Sequence, residues 1–234
     1  MLTLCHAAKG GSGTTVITAL TALADRSPTL LVDLDDELPA VLGIPEPDRP
    51  GVVDWFHSDA PLEHLGDLLV EVDRSTVILP TRGTASESER TSTCVDVSLT
   101  RWLQLASWCR TWATAQGGRV LIDTGTRAVP PEFAAACDQR WLVTRACYLS
   151  LRRAVRSAPK PTGVIVITEP GRALTGHDIE QSIDAPVLAS IPWDPAIARS
   201  VDAGLLTCSR LHRRTMRALA RVADDAVHAP TVAA

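Results

Sequence analysis

“HAAKGGSGTTVITALTALA”, residues 6–24, follows the apolar run “LTLC” and leads into residues whose apolar positions recur at helical spacing. The order is a buried strand, a glycine-rich loop and a helix. Gly10, Gly11 and Gly13, with Ser12 and Thr14 among them, allow successive backbone N–H groups to curl around phosphate oxygens. The helix that follows presents its positive end to the same place. Thr15 stands where a phosphate-binding loop carries the hydroxyl that reaches Mg²⁺, but the lysine that should precede it is Thr14. The cation of this loop is Lys9. Of the 23 basic residues only Lys9 and Lys160 are lysine, so a lysine placed in the loop points to chemistry rather than to drift.

Outward from the loop, “PTLLVDLD”, “STVILPT”, “GRVLIDTG”, “QRWLVTRA”, “TGVIVITE” and “APVLASIPWD” are further apolar strands. “RWLQLASWCRTWATAQ” and “SRLHRRTMRALARVADDAV” read as amphipathic helices between and after them. Apolar strands alternating with helices predict an α/β fold, a doubly wound, mostly parallel sheet with helices on both faces. Residues 1–227 are expected to form one nucleotide-binding domain and 228–234 a flexible tail. “GIPEPDRPG” and “TRGTASESERTSTC” are loops within it, the second a candidate mobile segment. In such sheets ligands sit beyond the carboxyl ends of the strands, where the glycine loop lies.

Composition narrows the classes. Apolar residues make up 45% of the 234 and charged ones 21%, a globular profile with no apolar run of spanning length and no signal-peptide pattern. The expected location is cytoplasmic. Six cysteines without close pairing read as reduced, mostly buried thiols rather than a zinc site or disulfide frame. A net charge of −4 argues against wholesale nucleic-acid binding.

“KGGSGTT” resembles the deviant phosphate loop of the MinD/ParA family, K-G-G-x-G-K-[ST], with Lys9 on the signature lysine and Thr14 on the ordinary one. The order and spacing of the later blocks are similar to the family over nearly the whole chain. The resemblance implies ATP and Mg²⁺ as ligands. It places Asp33 and Asp35 on the family's D-x-D pair, Asp33 near the metal and Asp35 beside the attacking water. Asp123, in “RVLIDTGT”, falls on the Walker B carboxylate near Mg²⁺. It also implies a sandwich homodimer in which Lys9 reaches the partner's phosphates. The bland alternative for Asp33 and Asp35 is a helix N-cap or loop carboxylate, and for Asp123 an ordinary strand-end cap.

Loss of the ordinary lysine with retention of Lys9 is similar to the CpaE/TadZ branch, which implies protein partners in a Flp/Tad pilus, secretion or septum assembly, at a polar or septal site. A lysine–phosphate bond contributes about 1.5–3 kcal/mol, so its loss weakens binding about ten- to a hundredfold. ATP or ADP binding is therefore expected to survive, with at most slow hydrolysis.

Several residues keep two readings. Glu169 stands where the family has a base-contacting residue, and would either accept from a purine amino group or face water. Pro192 and Asp194, with Trp193 between them, would flank the base or merely pack a turn. Trp108 would be an exposed partner contact or part of a broad buried stripe with Trp102 and Trp112. Arg210, Arg213, Arg214, Arg217 and Arg221 on the last helix would form a solvated face or, less favoured, hold nonspecific DNA. The chain ends in “HAPTVAA”, unlike MinD's apolar membrane helix, so no direct membrane insertion is expected. The alternatives to a nucleotide-dependent scaffold are a weak DNA-bound ATPase and a nucleotide-free interaction module.

Overall fold

The computed structural model describes residues 1–24, 26–82, 96–207 and 213–228. Most of the polar segment expected to be mobile, Arg210, Cys94, Cys208 and residues 229–234 lie outside them.

The described elements run in chain order: β1 (Leu2–His6), α1 (Thr14–Leu23), β2 (Thr29–Asp33), α2 (Leu38–Leu42), α3 (Val52–Phe56) and α4 (His64–Asp67). Then come β3 (Val70–Glu71), β4 (Thr76–Leu79), α5 (Leu99–Gln116), β5 (Arg119–Asp123), α6 (Pro131–Ala135) and β6 (Gln139–Arg145). The chain continues through α7 (Tyr148–Ala154), β7 (Gly163–Thr168), α8 (Gly176–Ile183), β8 (Val187–Pro192), α9 (Pro195–Asp202) and α10 (Arg213–His228). The strands form one sheet in the order β3-β4-β2-β5-β1-β6-β7-β8. All pairings are parallel except that of β3 with β4.

The mostly parallel sheet carries helices on both faces, as the alternation of apolar strands and helices predicts. Successive strand residues point to opposite sides. Leu2, Leu4, Leu30, Val32, Val120 and Ile122 pack against α3, α5 and α6, and Cys5, Leu31, Leu121 and Trp141 against α1 and α10. Rings of Phe56, Trp102 and Phe133 fill the first side, with centroids 4.7 and 4.8 Å apart. Trp108 and Trp112 are half-buried against that cluster, so the α5 stripe is broad and Trp108 is no exposed anchor. The tryptophan that stands largely open to solvent is Trp193, 47% exposed after β8.

Two-residue β3 is absent from the sequence reading because it is too short to show a period. A turn makes it: Asp73 Oδ1 accepts the N–H groups of Ser75 and Thr76 at 2.8 Å and folds the chain back onto β4. Cys5, Cys109 and Cys137 are buried and Cys147 half-buried, all as free thiols. No described helix is long and apolar enough to cross a membrane.

Candidate functional site

Parallel pairing brings the carboxyl ends of β1, β2 and β5 to one edge. Cys5 is registered with Asp123, and Asp123 with Asp33. The glycine loop leaves β1 at this edge. Gly13 caps α1 with φ +88°, a left-handed conformation that disfavours any residue with a Cβ. The Ser12 hydroxyl donates to the Lys9 carbonyl at 2.7 Å and closes the loop. Nothing lies within 4 Å of where side chains would project from Gly10, Gly11 or Gly13, so the cradle is open.

A cleft of about 290 Å³ lies over this loop. Lys9, Gly10, Gly11, Ser12, Gly13, Thr14 and Thr15 line it, and Asp35, Glu37, Gly125 and Thr126 form the opposite wall. A second cleft of about 250 Å³ shares Ser12, Gly13 and Val16 with the first. Its walls are mostly apolar, with Ile17, Ile167, Ile191 and Trp193 beside Pro192, Asp194 and Arg145. A polar chamber and an apolar slot on either side of Ser12, Gly13 and Val16 suit a ligand with phosphates at one end and a flat ring at the other.

The carboxylates divide by environment. Asp123 is fully buried; its Oδ1 accepts the Gly125 N–H at 3.0 Å, and its Oδ2 has no hydrogen-bond partner. Burial and then the charge of Asp33 push its pKa up to about 7, although the nearby Thr15 hydroxyl and the Gly125 N–H favour the ionised form. A buried, unpartnered acidic oxygen near a threonine hydroxyl is chemistry that fits a hydrated divalent cation.

Asp33 is differently engaged. Like Asp123 it lies behind the cleft rather than on its wall, but its oxygens accept the N–H groups of Asp35 (3.1 Å), Asp36 (2.9 Å) and Leu38 (3.3 Å). Burial raises its pKa to about 7 despite these bonds. Its geometric work is to fix the turn that carries Asp35 to the cleft wall. Asp35 is half-buried there and pairs with Arg127, Nε to Oδ1 at 3.1 Å. Burial pushes its pKa up, and Arg127 opposes the rise. Among the described residues no three His, Cys, Asp or Glu side chains form a metal cage by themselves.

Glu169 lines neither cleft. Arg145 holds its Oε1 at 2.7 Å and Arg172 its Oε2 at 2.5 Å, and Arg172 first, then Arg145, keeps its pKa below the usual value. With both oxygens engaged, Glu169 orients Arg145, which does line the apolar slot. Asp194 caps α9 by accepting the Ala196 N–H at 2.8 Å. Sequence reasoning missed Arg127, Arg145, Gly125 and Thr126. Gly125 and Thr126 lie in the block “RVLIDTGT” without standing out there, and no local pattern marks Arg127 or Arg145, whose carboxylate partners are 92 and 24 positions away.

No protein-family profile and no curated protein matches the chain. Solved structures do. The cell division ATPase MinD of Pyrococcus furiosus superposes with a TM-score of 0.73 over 96% of this chain and 98% of its own, at 20% identity. A ParA family ATPase from Chlorobium tepidum gives 0.70 over 97% and 99%, at 18% identity. The ATP complex of a Cyanothece McdA variant gives 0.69 over 100% and 99%, at 15% identity. Loop, strand order and neighbours agree: the chain has the fold of the MinD and ParA ATPases.

Proposed function

We propose that this protein is a nucleotide-controlled positioning scaffold that binds ATP with Mg²⁺ in the joined clefts and pairs face to face with a second copy. The observation that carries this reading is the open glycine cradle beside the unpartnered Oδ2 of buried Asp123. Backbone N–H groups of residues 10–15 would hold the phosphates, and Thr15 with Asp123, through water, would hold the metal. Bound Mg²⁺ would neutralise phosphate charge. The base would occupy the apolar slot against Pro192 and Trp193, with Asp194 at its rim.

Turnover is expected to be slow or absent. Thr14 supplies no charge to the transition state, and the carboxylate in the water-positioning place, Asp35, is tied to Arg127. Lys9, half-buried on the cleft wall, would complete the partner's site in the dimer. The likeness to MinD, ParA and McdA supports a role in placing an assembly; a pilus, secretion or septum complex is our reading of the partner class, with polar or septal placement following from that partner.

The test is molar mass by light scattering without nucleotide, with Mg-ADP and with Mg-ATP, for the native chain and Lys9→Ala. A dimer formed only with ATP and lost in Lys9→Ala is the expected result. Equal mass in all conditions would overturn the switch and favour a constitutive interaction module.

A further inference from the structure

The cleft is short of positive charge for a site that is to hold a triphosphate. Asp35 and Glu37 stand on its wall, with Asp33 and Asp123 buried behind it. Lys9 is the one lysine or arginine among the described wall residues, and the lysine slot of the loop is Thr14. Arg145 lines the neighbouring apolar slot and is held by Glu169; the cation paired with a wall residue of the cleft itself is Arg127. Arg127 follows Gly125 and Thr126, both wall residues, and its N–H donates to the Thr124 carbonyl at 2.8 Å, which fixes the turn. Its Nε lies 3.1 Å from Asp35 Oδ1 and its Nη2 3.5 Å from the Asp35 carbonyl, while a third of its side chain is exposed. A guanidinium has five N–H donors in a planar fork. Those two contacts leave donors free beside the wall.

We infer that Arg127 supplies, from the loop after β5, the positive charge to the terminal phosphate that Thr14 does not. This rests on the nucleotide reading above and adds the identity of the in-chain cation. Without ligand, Arg127 neutralises Asp35. With a triphosphate in the cradle, the terminal phosphate lies toward the wall formed by Asp35 and Gly125, and the same fork bridges carboxylate and phosphate. Arginine suits this task because it stays charged beside a carboxylate and can grip oxygens in pairs. A merely structural pair, this exposed, would contribute little.

The experiment is titration calorimetry with Mg-ATP and Mg-ADP. Arg127→Ala is expected to weaken ATP binding about ten- to a hundredfold and ADP binding by less than about threefold. Restoring the ordinary lysine with Thr14→Lys in the Arg127→Ala background should recover most of the ATP affinity. Asp35→Asn in that background should not. If Arg127→Ala binds ATP like the native chain, the inference is wrong and the nucleotide reading stands. If Asp35→Asn alone restores binding, Arg127 only neutralises that carboxylate, and the inference again fails. If the native chain binds neither nucleotide, both readings fall. Arg127→Gln, which keeps the side chain's bulk, takes the place of the alanine variant should the latter not fold.

Discussion

The carboxylate of Asp35 occupies the space where a side chain on Gly125 would project. Gly125 also has φ +51°, so both room and backbone demand glycine. Gly125→Ala must push the Asp35 carboxylate aside, which disturbs its pair with Arg127. The expected outcome is a drop in melting temperature of roughly 2–4 °C, matching about 1 kcal/mol for a chain of this size. ATP affinity should fall as well. Calorimetry and thermal melts on one preparation check this; unchanged values in both would show that Asp35 can relocate freely.

Asp33 and Asp123 have pKa values pushed up to about 7 from the ordinary 3.8, chiefly by burial. Between those values the unfolded chain has lost protons that the folded chain keeps, so stability falls as pH rises from about 4 to 7. Glu169 and Asp178 are held below their ordinary values and act oppositely, losing their contribution only in more acidic solution; His6, whose pKa burial lowers from 6.5 to about 4, also acts oppositely up to about pH 6.5, but as one group against two. Metal-free protein should therefore melt lower at pH 8 than at pH 5.5. Asp123→Asn should raise the pH 8 melting point by roughly 2–4 °C, and remove any stabilisation by Mg-ATP that grows through pH 7. Melting curves that rise from pH 5.5 to 8 would sink this account of the two carboxyls.

Arg101, near the start of α5, lies with its guanidinium 3.6 Å from the centre of the Trp55 ring. It donates to the carbonyls of Ala60 (3.0 Å), Ser58 (2.9 Å) and Trp55, tying α5 to the end of α3. A lysine cannot reproduce that fork. Arg101→Lys should cost about 1–2 kcal/mol in urea unfolding, without a change in nucleotide affinity. A loss of affinity as large as the loss of stability would mean that α5 is coupled to the clefts.

Trp193 is the exposed tryptophan of the apolar slot. Stacking on a base should change its emission, and the change should vanish in Trp193→Phe while weaker binding persists. An equal signal from Trp193→Phe would place the ligand elsewhere.

On α10, Arg213, Arg214, Arg217 and Arg221 are exposed. If this face grips duplex DNA, binding to random sequence should weaken steeply with salt, and Arg213→Ala with Arg214→Ala should flatten that slope. The scaffold reading expects no binding at physiological salt. A mobility-shift series against salt separates the two.

What could be read along the chain was local. The strand–glycine loop–helix unit needs only neighbouring residues to be recognised, and apolar runs such as “TLLVD” and “RVLID” carry the parallel sheet because both their faces are buried. The loop residues Lys9 to Thr15 therefore lie where the sequence placed them, at the carboxyl end of β1. Trp108 could not be placed in this way, since helical spacing does not say how wide a buried stripe is. Nor could β3, which a turn at Asp73 creates.

Roles that depend on distant partners were decided by the tertiary structure alone. Asp35 and Arg127 are 92 positions apart and meet only because β2 pairs with β5 in register. Glu169 resembles a base contact until Arg145 and Arg172 are seen holding both its oxygens. Asp33 and Asp123 look equivalent as carboxylates ending apolar strands. Three N–H groups engage Asp33, whereas Oδ2 of Asp123 has no partner. A sequence specifies which charges and hydrogen-bonding groups exist. Which of them satisfy one another, and which are left to meet a ligand, follows from strand order and the approach of loops at one edge of the sheet.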